Sequence, residues 1–553
     1  MIRRHLFFLG AGLGLVSVPV VARPLPPAAT APISAARLDA TDKALASDAF
    51  QGRGPGTVGE TKTLAWLIGQ LKGLGLQPAG PGGSWTQPVA LVRTQLGAGS
   101  VGATAGKRRF AYTPGEDIYL ATVRPLDRAT IADAPLVFVG YGANAPERGW
   151  NDFKDVDLKG KVAVFLVNDP DFEATAADDS TGKFGGRRMT YYGRWIYKYD
   201  EAARRGAVGA LIVHDTPGAG YGWNTVVAPH GENYDIAGAI GRLALQGWLR
   251  EDAAKELFAA SGLDYARLRA AARRSDFRPV AMDARFSADL AVRHEAVLSH
   301  NVLARIPGRT HPREAVMYGA HWDAFGLGAP DSRGKVARSG ANDDGLGVAG
   351  LLEIARAFRA GPRPKRSILF GFWTAEERGL LGSEAYALRP TVAARDTVAN
   401  ITLDILQTGG PSRDVMLVGQ GQNSLEQDFT AAARGQGRTV TPEALPERGL
   451  FYRADHFSLA KRGVPTLLLM AISGAPDLID GGRVAGQAWL DGYMKCYHQT
   501  CDEWRPGWDL SGAAQDIALA YRVGRRLADS TEWPTWSQGS EFRAVREASR
   551  AKR

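Results

Sequence analysis

The sequence has only two cysteines, Cys496 and Cys501, set close together in CYHQTC. One small disulfide loop or two unpaired buried thiols are equally compatible with that spacing. No G-x-S-x-G elbow occurs, which argues against a serine hydrolase. No basic stripe interleaved with aromatics is present, although the formal charge is +9. The positive residues are scattered, with one cluster in the tail EFRAVREASRAKR, so no nucleic-acid partner is expected. Nor is there an apolar run of the ~20 residues needed to span a bilayer, which leaves no integral span after removal of a leader.

The leader itself is legible. MIRRHLFFLGAGLGLVSVPVVARP has basic Arg3 and Arg4, an apolar stretch broken by three glycines and Pro19, and small residues ending at Ala22. This is the pattern of an export signal over residues 1–22, with an Arg-Arg pair of the twin-arginine type. A periplasmic or extracellular location follows. Removing it takes two arginines and no acid, so the mature chain carries +7 and remains basic.

The remaining length suits several domain-sized units, and a composition of 45% hydrophobic and 23% charged residues suits a soluble globular protein. After a Pro/Ala-rich linker, residues 36–115 open with two amphipathic helical patterns separated by the turn QGRGPGTVGE. Residues 116–285 change texture: APLVFVGYGA and KGKVAVFLVND are short β-rich runs, and YDEAARRGAVGALIVHD reads as helix then strand. STGK within this part lacks the upstream glycine of a phosphate loop, because position 177 is Ala, and reads as a polar loop. Residues 286–535 alternate regularly. AVMYGA, SILFGFW, ANITLDIL, DVMLVG and VPTLLLM are strand candidates, separated by helical GVAGLLEIARAFRA, SLEQDFTAAARG and 513–527. A basic tail, 536–553, closes the chain. The fold class expected is α/β: a doubly wound, mostly parallel sheet with helices on both faces, plus a small β-rich insert.

Such sheets gather their sites at the carboxyl ends of the strands. There the sequence places His321 and Asp323 after AVMYGA, Glu376 and Glu377 after SILFGFW, and Asp404 inside an apolar run where an unpaired carboxylate costs several kcal/mol. Asp343 and Asp344 lie in SGANDDGLG, and His498 in CYHQTCDEW. Each has an ordinary structural reading: helix capping for Asp343 and Asp344, a turn for Asp323, dipole stabilisation for the paired glutamates. Five segments converging on one rim argue for a shared role. Histidines and carboxylates without thiolates suit a catalytic zinc site with open positions, and their number suits two ions.

Taken in order, HWD, GANDDG, EERGLLGS, TLDIL and YHQTCDE resemble the motifs of the co-catalytic zinc exopeptidases, the family of secreted leucyl aminopeptidases, glutamate carboxypeptidases and the transferrin receptor. The resemblance implies two Zn2+ per chain, one with His321 and Asp404, the other with Glu377 and His498, bridged by Asp343, with Asp344 an outside candidate for the bridge. It implies Glu376 as general base; the His-Trp-Asp spacing itself lets Asp323 lie near the imidazole of His321 and orient it. SDAFQGRGPGTVGE and RADHFSLAKRGVPTLLL resemble further family segments, which puts Tyr452, Asp455 and His456 near the substrate. Residues 116–285 resemble a protease-associated domain. The sequence departs from the family in having Ile405 after the strand aspartate, where Met is frequent, and Cys501 where a small residue is usual. The implied activity is removal of amino-terminal residues from peptides with a free N-terminus. A carboxypeptidase or dipeptidase using the same site, with a cationic group such as Arg448 or Arg453 for the substrate carboxylate, and an inactive binding protein of the same fold are the alternatives.

Overall fold

The computed structural model describes residues 32–551; the proposed leader lies outside them. Among the described residues no helix is long and apolar enough to cross a membrane. The chain builds one continuous 14-stranded sheet. At one end, Thr466–Leu469, Thr397–Leu403, His311–His321 and Arg366–Trp373 lie side by side and parallel. These strands are buried on both sides, which is why they read as unbroken apolar runs.

Alternate side chains feed two cores. Val316, Tyr318 and Ala320 belong to the larger one, with Leu346, Leu351 and Ile354 of the helix Leu346–Ala360 and Ile517 of Ser511–Asp529. Ala315 and Met317 point the other way, toward Tyr386 of the helix Leu381–Leu388 and Leu459 of His456–Ala460. Helices therefore cover both faces, as the alternating pattern predicts.

Two differences from the sequence reading stand out. DVMLVG does form a strand, Asp414–Leu417, but it pairs with Thr439–Pro442 in a separate two-stranded sheet instead of joining the main one. The insert is also not a self-contained sheet. The strands Thr86–Ala105 and Val280–Ile306 form a long antiparallel ribbon, and Val280–Ile306 pairs with Arg366–Trp373 near one end and with Arg128–Phe138 near the other. The main sheet thus runs on into Val162–Leu166, Gly209–His214 and Leu245–Arg250, which pack a second core with the helix Glu251–Ala260.

Candidate metal centre and cleft

The site is assembled where the parallel strands end. His321 is the last residue of its strand. Its Nδ1 faces the backbone carbonyl of Asp323 at 3.0 Å, which leaves Nε2 turned toward Asp343 Oδ1 at 3.1 Å and Glu376 Oε2 at 3.9 Å. The sequence reading has the Asp323 side chain orient the imidazole. In the structure the main chain of Asp323 makes the closer contact, with the carboxylate at 3.6 Å. That carboxylate instead accepts the backbone N–H of Glu376 at 3.0 Å.

Asp343 sits in a tight loop that begins at Gly340, whose φ is +52°; a Cβ there would fall 2.1 Å from the Asp343 carbonyl oxygen. A cis peptide joins Asp343 to Asp344. The loop is tied down by Asp502, whose carboxylate accepts the N–H groups of Asn342 and Asp343 at 3.0 and 3.1 Å. Asn342 in turn accepts the N–H of Leu406, two residues past Asp404. Asp344 is used structurally: its carboxylate accepts Gly347 N–H at 3.0 Å, at the start of the following helix, and His321 N–H at 3.2 Å. The capping role therefore describes Asp344 better than the bridging one.

Asp404 stands one residue beyond Thr397–Leu403. Glu376 and Glu377 occupy the loop after Trp373, and Ala375 before them has φ +52°, so the backbone reverses just ahead of the acidic pair. His498, itself at φ +62°, brings Nε2 to 3.2 Å from Glu377 Oε2 and 3.3 Å from Asp343 Oδ2. Its ring lies against Tyr497 and Phe325. The nearby Cys496–Cys501 pair is disulfide-bonded.

The result is two groups of potential ligands, His321, Asp343 and Asp404, and Asp343, Glu377 and His498, each with donor atoms within 4.8 Å of one another. Asp343 belongs to both; Glu376 and Asp323 belong to neither. Burial pushes Glu376 and Glu377 well above the usual carboxylate range, reinforced by neighbouring carboxylates, and Asp404 to about 8. Burial opposes charge on His321, but Glu376, Asp323, Asp343 and Asp344 outweigh it and hold the imidazole well above its ordinary pKa. So many desolvated carboxylates together are costly unless a cation compensates them. Three oxygen and nitrogen donors per group, without sulfur, fit zinc with an open position, and buried Asp343 Oδ2 makes no well-aligned hydrogen bond among the described residues, although His498 Nε2 stands 3.3 Å away.

A cleft of about 380 Å³ opens onto Glu376, Glu377 and His498. Residues 116–285 supply much of its wall, including Tyr119, Arg194, Trp195, Tyr221 and Trp248; Tyr452, Arg453 and Tyr497 line the catalytic side. Tyr452 lines this cleft, with its hydroxyl donating to Glu541 at 3.0 Å. His456 is fully buried with its ring edge on Phe451, and burial lowers its pKa to about 3. Sequence reasoning also missed Arg53, Asn342 and Asp502 as supports of the site, although each lies in or beside a quoted motif.

Residues 301–522 match the sequence profile of Peptidase family M28. The match covers about two fifths of the chain. All five proposed ligands and Glu376 lie inside the M28 segment. It is similar to leupeptin-inactivating enzyme 1 of Streptomyces exfoliatus, 29% identical over 230 residues, or 40% of this chain and 48% of that protein. It is also similar to a probable lipoprotein aminopeptidase, LpqL, of Mycobacterium tuberculosis, 27% identical over 233 residues, or 39% of this chain and 43% of that protein. The matches span less than half the length of these relatives. An aminopeptidase structure from Aneurinibacillus sp. strain AM-1 aligns with 91% of this chain and 95% of its own, at 19% identity and a TM-score of 0.48.

Proposed function

We propose that this protein is an exported di-zinc aminopeptidase that removes the N-terminal residue of peptides. The observation that carries the reading is the pair of ligand groups sharing Asp343, with Glu376 close by and in neither. His321 and Asp404 would hold one ion, Glu377 and His498 the other, with Asp343 common to both. Zinc bound there supplies Lewis acidity, polarising a peptide carbonyl and lowering the pKa of water toward 7.

The remaining chemistry belongs to side chains. Glu376, its backbone pinned by Asp323 and its carboxyl raised in pKa by burial, accepts the proton of the attacking water on Oε2 and delivers it to the leaving amine. A substrate's free N-terminal amine would be held at the zinc centre, with Glu376 beside it. Residues 116–285, read as a protease-associated domain, wall the cleft and admit chain ends in preference to folded segments. The relatives' names, a probable lipoprotein aminopeptidase and a leupeptin-inactivating enzyme, are consistent with this. Two arginines in the cleft, Arg194 and Arg453, favour a second reading in which the same site acts as a carboxypeptidase or dipeptidase.

The test is zinc content together with hydrolysis of free-amine and amino-blocked anilides and peptides by wild type and Glu376→Gln. About two zincs per chain, cleavage of free-amine substrates alone, and a variant that keeps its metal while losing 10²- to 10⁴-fold in kcat are expected. Cleavage of amino-blocked peptides would favour the second reading; a metal-free, inert wild type would leave a binding protein.

A further inference from the structure

Residues 536–551, which the sequence presents as a basic tail, are docked on the fold instead of projecting from it. The indole of Trp536 donates to the carbonyl of Gly463 at 2.8 Å, and the N–H of Ser537 to that of Gln422 at 2.9 Å. Farther on, Arg546 is 4% exposed and donates to the carbonyls of Ala394 and Thr397 at 2.7 and 3.0 Å, where the strand Thr397–Leu403 begins. Between these anchors stands Glu541, whose side chain is 5% exposed. Its Oε1 accepts the hydroxyl of Tyr452 at 3.0 Å and the N–H of Tyr191 at 3.4 Å; its Oε2 accepts Arg148 Nη2 at 3.2 Å. Tyr452 lines the cleft on the catalytic side, whereas Arg148 and Tyr191 belong to the insert. Three parts of the chain far apart in sequence therefore meet at one buried carboxylate.

Arg148 spreads that contact through the insert. It donates to the carbonyls of Lys183 at 2.8 Å and of Gly539 at 3.1 Å, with the rings of Phe184 and Tyr192 against its guanidinium. The Tyr191 ring packs on Tyr452, Phe457 and Phe542. Nearby, Arg187 of the insert pairs with Glu447 at 2.6 Å, but it is 73% exposed, and such a pair contributes little. A buried pair differs, because removing one partner leaves the other charge desolvated and unmatched. Tyr452 ends the turn Leu450–Tyr452, and the residues after it run past the metal centre: Arg453 lines the cleft, and buried Asp455 acts on the charge of Glu376. We propose that Glu541 is a positioning residue, a latch that holds the insert against the Tyr452 segment and so fixes the width of the cleft beside Glu376. This rests on the peptidase reading of that site. The consequence is selectivity by substrate size. Fixed walls grip a short substrate, whereas an unlatched insert would move outward, weakening that grip and admitting longer chains.

The test compares Leu-p-nitroanilide with a long, unstructured leucine-initiated peptide, using zinc-loaded wild type, Glu541→Ala, Glu541→Gln and Arg148→Met, each with its zinc content and unfolding midpoint. Glu541→Ala should raise KM for the anilide about tenfold at nearly unchanged kcat and should not lower kcat/KM for the peptide, so that selectivity shifts about tenfold toward the longer substrate. Glu541→Gln keeps an acceptor for Tyr452 and should restore part of the wild-type ratio. Hydrogen exchange gives a readout independent of turnover: the amides of residues 189–194 should exchange about tenfold faster in Glu541→Ala, while those of Thr397–Leu403 stay protected. Arg148→Met breaks the latch from the insert's side, should move both readouts in the same direction, and gives an independent reading should Glu541→Ala fold poorly. Unmoved selectivity and exchange, an equal loss on both substrates at unchanged KM, or exchange that quickens throughout the molecule would each overturn the inference while leaving the peptidase intact. If wild type cleaves neither substrate, the peptidase reading fails and this role for Glu541 falls with it.

Discussion

The guanidinium of Arg53 donates from Nε to the carbonyl of Trp322 at 2.7 Å, gripping the main chain between His321 and Asp323. Its other nitrogens reach Ser339 and Gly340 at 2.5 and 2.7 Å, on the loop leading to Asp343, and Leu45 at 3.2 Å. One buried side chain thus sets two ligand-bearing loops relative to each other. Arg53→Met would remove a donor from four carbonyls and orphan three of them, Gly340 keeping the N–H of Gly345, so a loss of about 4 kcal/mol is expected, with Arg53→Lys intermediate. Urea unfolding of the three proteins checks this, and zinc titration should show weakened binding in whatever fraction of Arg53→Met remains folded. Unchanged stability and zinc affinity would mean that the loops hold themselves.

Asp323 separates into two functions. Its carbonyl faces Nδ1 of His321, whereas its carboxylate accepts the N–H of Glu376. Asp323→Asn preserves an acceptor oxygen and the backbone while removing the charge. It should therefore keep both zincs and lose about 10- to 100-fold in kcat, with a shifted pH profile, because the effect acts through the base. A variant that loses zinc would show instead that the carboxylate sustains the ligand His321.

The same residues show how far the sequence can be read. Apolar runs at 311–321, 366–373, 397–403 and 466–469 are strands buried on both faces, so their ends and the polar residues beyond them were visible in one dimension. The ribbon of Thr86–Ala105 with Val280–Ile306 was not. It joins segments nearly two hundred residues apart, contains the glycine-rich stretch LGAGSVGATA, and shifts register between Leu290 and Val292, which disrupts simple alternation. Arg53 and Arg194 were equally hidden, because a lone arginine between glycines or aromatics reads like any surface arginine until the tertiary fold buries it. Asp414–Leu417 had the composition of a central strand, but composition does not say which sheet a strand joins.

The disulfide between Cys496 and Cys501 closes a short loop around His498, with five residues of sequence separation. A loop this small contributes about 2 kcal/mol in the chain-entropy picture. The larger consequence is local, because His498 holds a positive φ and its ring is about one-third exposed, so few contacts other than Tyr497 and Phe325 fix it. Cys496→Ser/Cys501→Ser should lose zinc preferentially from the Glu377 and His498 side, giving a stoichiometry nearer one than two at limiting metal, with only a modest fall in unfolding midpoint. Full zinc binding with unchanged affinity in the double variant would confine the disulfide to stability.

Asp152 brings a pH dependence to the small cluster of Ala143, Trp150 and Phe184. It is fully buried, and burial raises its pKa to about 7, opposed by the N–H groups of Ala143 and Trp150 and by Lys198 and Lys154. Below pH ~4 the folded and unfolded chains both hold this proton; between pH ~4 and ~7 only the folded chain does. Raising the pH through that window therefore draws the equilibrium toward the unfolded state, by up to ~1.4 kcal/mol per unit and on the order of 3 to 4 kcal/mol in all. Asp152→Asn cannot titrate. Its absolute stability should fall somewhat, because its NH₂ meets a donor, but the difference between wild type and variant should shrink as pH rises from 4 to 7 and level off above it. Guanidinium unfolding at unit steps from pH 4 to 8 measures that difference directly. A gap that widens with pH would mean that Asp152 is ionised throughout and stabilised by Lys198, reversing the sign of its contribution.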